Sequence, residues 1–217
     1  MTSISSRLGG ICAVLFVALL AVGVTLGFDQ PDNDAPDEKW IDYLQDDTKL
    51  VTNLIGGYLL VIAGVLFLVF LVAMYRRIRS AEASDSGLPL LMLATGIGWA
   101  MGLMVGGIII EAIPGGIKLG SATPATPDTA RWLPQIGFGV VLVAGGLCAA
   151  LMSTVLSALI LRTGVLPAWL AYFGFVAALA MVFAAIFFPV IIFALWILVM
   201  GIVLATSTEP SEGATTA

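Results

Sequence analysis

The stretch LPAWLAYFGFVAALAMVFAAIFFPVIIFALWILVMGIVLAT, from Leu166 to Thr206, holds no charged residue over 41 positions. As one helix it would run roughly 60 Å, far more than a bilayer's hydrocarbon core. It must therefore fold back, and Phe187-Phe188-Pro189 is the expected turn, because proline disrupts a helix that precedes it. The reading gives a fifth span over 166–188 and a sixth over 190–206. Working outward, Arg162-Thr163-Gly164 closes the run before it, with Gly164 placed to end a helix and Pro167 to start the next. Trp169 and Tyr172 then fall at interface depth.

Four further apolar runs precede this one, over 8–28, 51–75, 88–113 and 133–161. Thr126 or Asp128 is expected to cap the start of the last of them. The chain is 60% hydrophobic and 11% charged, with a mean hydropathy of +1.08. A soluble domain is about 45–50% apolar, so this composition belongs in lipid. The expected fold is an all-α, polytopic transmembrane helix bundle of six spans with both termini cytoplasmic. Arg76, Arg77 and Arg79 after the second span set the orientation, since short cytoplasmic loops accumulate Lys and Arg. A cleaved signal peptide competes for the first run, but its apolar region is usually only about 7–15 residues.

Between the first two spans lies an acidic outer loop, 29–49, with eight acids from Asp29 to Asp47. Pro36 predicts the start of a short helix, with Trp40, Ile41 and Leu44 on one face, lying on the membrane surface. An EF-hand reading fails for want of its turn glycine and terminal glutamate. The segment 207–217 is small and polar and is expected to be a disordered cytoplasmic tail.

Ala94, Gly98, Gly102 and Gly106 recur every four residues, which stacks small side chains on one face of the third span. Gly145, Ala149, Ser153 and Ser157 form a second such ladder in the fourth. In lipid, close backbone approach and dispersion drive association, so the two ladders are expected to be helix-packing mates. Ser153, Thr154 and Ser157 are expected to bond carbonyls one turn earlier. Glu111 is the only acid in a long apolar run and is the candidate ion or substrate contact. It sits only about 3 Å inside the end of its span, within reach of Lys118 or Arg131, and an interfacial structural role competes. Trp99 and Trp196 lie mid-span, where an indole N–H requires an acceptor.

Several function classes are excluded. The chain has no histidine, which removes bis-histidine haem ligation, histidine proton relays and most zinc sites. A net charge of −5 argues against nucleic acid as a partner. Cys12 and Cys148 lie in apolar runs and read as small apolar residues. No nucleophile elbow, phosphate-cradling loop or paired intramembrane carboxylate occurs, so no catalytic residue, metal ligand or cofactor is expected. Nor do the two halves read as an inverted repeat.

Gly164-Val165-Leu166-Pro167, then Trp169-Leu170, the Trp196 to Gly201 stretch, the arginine cluster and the acidic outer loop together resemble a family of uncharacterised small six-helix bacterial inner-membrane proteins, grouped as a domain of unknown function. The family's usual basic residue after the proline is Ala168 here. The resemblance implies a multi-pass protein of the cytoplasmic membrane and carries over no catalytic residue. The expected function is a non-enzymatic accessory, scaffolding or sensing component, with the lipid bilayer and a membrane-protein partner or second copy as its contacts. The alternative is a small-solute or ion transporter using Glu111.

Overall fold

A backbone crossing hydrocarbon must satisfy its own N–H and C=O groups, and each charge-free run does so as helix. A computed structural model describes residues 6–82, 86–120, 123 and 125–206, with no strand among them. In chain order the helices are α1 (Ser6–Gly27), α2 (Asp37–Gln45), α3 (Asp47–Ala81), α4 (Leu88–Ile110), α5 (Ala112–Gly120), α6 (Pro127–Gly139), α7 (Gly146–Thr163), α8 (Ala168–Val182) and α9 (Pro189–Thr206). A π-helical stretch, Val140–Gly145, joins α6 to α7, so Pro127–Thr163 is one rod. Five segments are long and apolar enough to cross a membrane: α1, α3, α4, the α6–α7 rod and α9. At 15 residues α8 is shorter. The architecture is that of a multi-pass helical membrane protein.

The six principal helices pack in chain order. α1 lies against α3, α3 against α4, α4 against the α6–α7 rod, α7 against α8, α8 against α9, and α9 returns to α1 to close a ring. Aromatic rings fill its centre. Phe67 stands 5.1 Å from Phe16 and 6.5 Å from Phe193, which in turn meets Trp99 at 5.4 Å and Trp196 at 6.1 Å. Tilted and edge-on pairs such as these contribute about 0.5–1.5 kcal/mol each beyond their contact area.

The bundle has two unlike ends. At the arginine end, Arg77 donates to the Val165 carbonyl at 3.1 Å and Arg162 pairs with Glu82 at 2.9 Å, which ties the ends of α3 and α7 together. At the acidic end, Arg131 is the hub: it pairs with Asp37 at 2.9 Å and Asp128 at 3.0 Å, donates to the Ala35 carbonyl, and lies 5.8 Å over the Trp40 ring. Lys118 pairs with Asp47.

Helix extents differ from the apolar runs, each for a local reason. α3 is 35 residues long because Asp46 caps it, accepting from the Thr48 and Lys49 N–H groups, and because Arg, Ser and Ala continue it past Tyr75. Arg76, Arg77 and Arg79 are thus on the helix rather than after it. α4 breaks at Glu111, since Pro114 has no N–H for the Ile110 carbonyl, yet Pro114 does not end helical structure. It occupies the first turn of α5, where a missing N–H costs nothing. Thr126 rather than Asp128 caps α6. α8 stops at Val182, six residues short of the expected span end at Phe188, and a 3₁₀ turn, Ala184–Ile186, leads to Pro189. Gly164, at φ 66°, ends α7 in the left-handed region that glycine enters freely.

The surface helix also needs correction. Trp40, Tyr43 and Leu44 are its buried residues, while Ile41 is exposed. They pack on Leu50 and Ala130, with Ile113 and Ile117 beside them, so protein covers this face rather than lipid. The tail 207–217 lies outside the described residues, as do 121, 122 and 124 in the turn-rich segment after α5.

Candidate functional site

The break in α4 sets the position of Glu111. Its side chain turns onto α3, where a methyl group on Gly57 would stand 2.8 Å from both Cβ and Oε2 of Glu111. That oxygen is buried without a hydrogen-bond partner. Neither expected cation reaches it, because Lys118 is held by Asp47 and Arg131 by Asp37 and Asp128. One turn before Gly57, the buried Asn53 donates to the Gly27 carbonyl at 2.8 Å, which ties α3 to the end of α1. Its Oδ1 also has no partner. Asn53 is the only amide in the second apolar run, and that was the signal the sequence offered.

The ladder residues divide between two seams. On α4, Gly98 lies against Cys148, Gly102 against Gly145, and Gly106 against Val141 and Gly137. A methyl on Gly102 would sit 3.1 Å from the Gly145 Cα, and one on Gly106 would sit 2.7 Å from the Gly137 carbonyl oxygen. The glycine face of α4 is thus received largely by the π-helical stretch and the residues just before it. Ala94 is exposed and takes no part in this contact. Ala149 and Ser153 are fully buried on α7. Ser157 meets Gly174 of α8, so the lower part of the second ladder serves the next seam of the ring. Ser153 and Thr154 donate one turn back, to Ala149 at 2.7 Å and Ala150 at 2.9 Å, while the buried Ser157 hydroxyl has no partner.

The mid-span tryptophans separate in the same way. Trp196 donates to the Leu170 carbonyl at 2.9 Å, whereas the Trp99 N–H is buried without an acceptor. Trp99 borders an apolar cavity of about 30 Å³, which Leu20, Leu103, Phe138, Val141 and Phe187 also line. Apart from the Trp99 indole its lining is aliphatic, aromatic or glycine.

Two larger spaces adjoin it at the acidic end. One, of about 300 Å³, is lined by Gln30, Asp32, Asn33 and Gln135 above the rings of Phe28, Phe138 and Phe187. The other, of about 210 Å³, is a lateral groove between α1 and α9, lined by Val17, Ala21, Val24, Ile191, Leu195 and Phe187. Glu111 lines none of the three.

Phe187 is common to all of them. It is packed edge-on against Phe28 at 5.1 Å, and Phe28 stacks on Phe138 at 4.6 Å. Its backbone, at φ 71° and ψ −54°, is the centre of a γ-turn that the Phe188 N–H closes onto the Ile186 carbonyl at 3.0 Å. This hand of γ-turn is rare and strained, worth about 1–3 kcal/mol, and such strain persists only where the surroundings enforce it. Pro189 helps to do so, since its ring disfavours helical geometry at Phe188.

Among the described residues no three His, Cys, Asp or Glu side chains gather as a metal would need. Cys12 and Cys148 are free. In the acidic cap, burial and then the Asp29 carboxylate raise the Tyr43 phenol well above its ordinary range, so it stays protonated. No protein-family model, curated protein or solved structure matches the chain.

Proposed function

We propose that the chain is a six-span protein of the cytoplasmic membrane, with both termini on the cytoplasmic side, and that it works as a non-enzymatic accessory, scaffolding or sensing component. The closed six-helix ring supports the span count: α8 adds about 22 Å of helix at 1.5 Å per residue, and the Phe183–Phe188 connection completes the crossing. The arginines at one end and the acids at the other support the orientation. The accessory role rests on one observation, that the single acid in an apolar run is closed against the Gly57 backbone and lines none of the three cavities. Co-purification from native membrane tests it: a stoichiometric membrane-protein partner or a second copy is the expected result, and a chain that purifies alone as a monomer sinks it. Reporter fusions after Thr206 check the orientation.

Transport through Glu111 has one observation in its favour, the pair of buried acceptors, Glu111 Oε2 and Asn53 Oδ1, without partners. Proteoliposome flux decides it. A Glu111→Gln variant whose flux equals that of the unaltered protein removes the acid from any transport role.

A further inference from the structure

We propose that the pocket at the acidic end and the lateral groove together hold one membrane lipid, its ammonium-bearing zwitterionic head in the pocket and one acyl chain in the groove, on either side of Phe187. The two spaces share Phe187, and the groove is apolar throughout, while the pocket adds Gln30, Asp32, Asn33 and Gln135 to a largely apolar wall. The groove is built from aliphatic side chains of α1 and α9 and runs from Val24 to Val17, about 10 Å along the helix axis. The pocket offers acceptors. Gln30 spends an amide N–H on the Gly27 carbonyl and Gln135 spends one on Asn33 Oδ1, and both line the pocket with the exposed Asp32, whose carboxylate pairs with no cation among the described residues.

No Lys or Arg lines either space. Arg131, one turn before Gln135, is already engaged by Asp37 and Asp128. An anionic head group would meet the Asp32 carboxylate with no cation to offset it, whereas an ammonium group complements that charge beside two amide side chains. The cavity behind Phe187, at about 30 Å³, is too small for a chain, which keeps the lipid at the groove and out of the core. The proposal rests on the membrane reading but on neither the accessory role nor the orientation.

The test uses the full chain in vesicles of phosphatidylethanolamine with a trace of the same lipid carrying a diazirine in one acyl chain, and in parallel with a diazirine phosphatidylglycerol. Adducts are mapped by peptide mass spectrometry. We expect the ethanolamine probe to label α1 and α9 around Ala21, Val24 and Ile191 several-fold above the exposed face of α8, at Val176 and Leu179. Ala21→Trp, which fills the groove from its exposed side, should remove that enrichment. Asp32→Asn, at an exposed position, should erase the preference over phosphatidylglycerol while leaving the fold intact. Even labelling of α1, α8 and α9, equal labelling by the anionic probe, or an unchanged preference in Asp32→Asn overturns the site and leaves the membrane reading standing. Absence of adducts on every apolar helix overturns the membrane reading itself.

Discussion

The two ends of α1 behave differently, although they belong to one straight apolar helix. At the arginine end α1 is drawn onto both neighbours: Gly9 faces Ala73 of α3, and a methyl on Gly10 would stand 2.5 Å from the Gly201 carbonyl oxygen and from the Ala205 nitrogen of α9, so backbone meets backbone. At the acidic end only the α3 contact stays close, where a methyl on Gly56 would stand 2.5 Å from the Gly27 nitrogen and where Asn53 holds the Gly27 carbonyl. The α1–α9 seam therefore opens toward Val24 and Ile191, where α1 turns Gly23 and Gly27 to α3 and α9 has no glycine. In lipid, where apolar contact with a neighbour is hardly better than contact with a hydrocarbon tail, such close approaches decide which seams shut.

The sharpest way to break this comparison is to bulk up the closed end. Gly10→Leu is expected to cost several kcal/mol, more than the usual 1–3 for overpacking because the obstacle is backbone. Thermal unfolding in detergent reads it, and an unaltered midpoint would remove the latch. Gly102→Leu, in the seam between α4 and the π-helical stretch, belongs to the same class, while Gly98→Ala should cost less because it meets only the movable Cys148 thiol.

Next in size is Arg131→Gln at the acidic end. It removes a hub whose partners are exposed, so about 1–2 kcal/mol is expected by the same measurement. A smaller effect comes from the open seam itself: Ala21→Leu should change stability by less than about 0.5 kcal/mol in either direction, as a lipid-facing substitution with room to spare. A large loss there would show the groove to be closed in the membrane.

The smallest effect is a pH dependence. The Tyr43 phenol titrates higher folded than unfolded, so its contribution is fully present below about pH 10, the unfolded value, and declines as pH rises beyond it. Tyr43→Phe should flatten the fall in unfolding temperature between pH 9 and 11, by comparison with the unaltered chain.

Much of the architecture was legible because charge-free runs leave a backbone no choice but helix. Gly164, Pro167 and Thr126 punctuate those helices where simple stereochemistry places them. Helix ends were less legible, because the limit of an apolar run is not the limit of a helix: α3 overruns its run at both ends and α8 stops short. The ladders showed which faces approach a neighbour but not which neighbour, so Ser157 was assigned to α4 when Gly174 of α8 receives it. Spacing also chose Ile41 over Tyr43, since both fit a helical stripe and only tertiary packing selects between them. The Phe187 site was not legible at all. Pro189 marks a break in the apolar run, but three cavities around one ring depend on how three distant segments lean.

The ring closure has a consequence for how the molecule assembles. Each helix finds its neighbour in the one made just before it, so most of the bundle forms from contacts near in sequence, which is the rapid case for a folding chain. The exception is the contact of α9 with α1, where the backbones approach as closely as those of α1 and α3 do at Gly27 and Gly56. Until α9 arrives, the glycine face of α1 at Gly10 is bare to lipid or to any passing helix with a matching groove. The finished ring covers that face, so α9 is the helix that closes the Gly10 side of α1 to other helices.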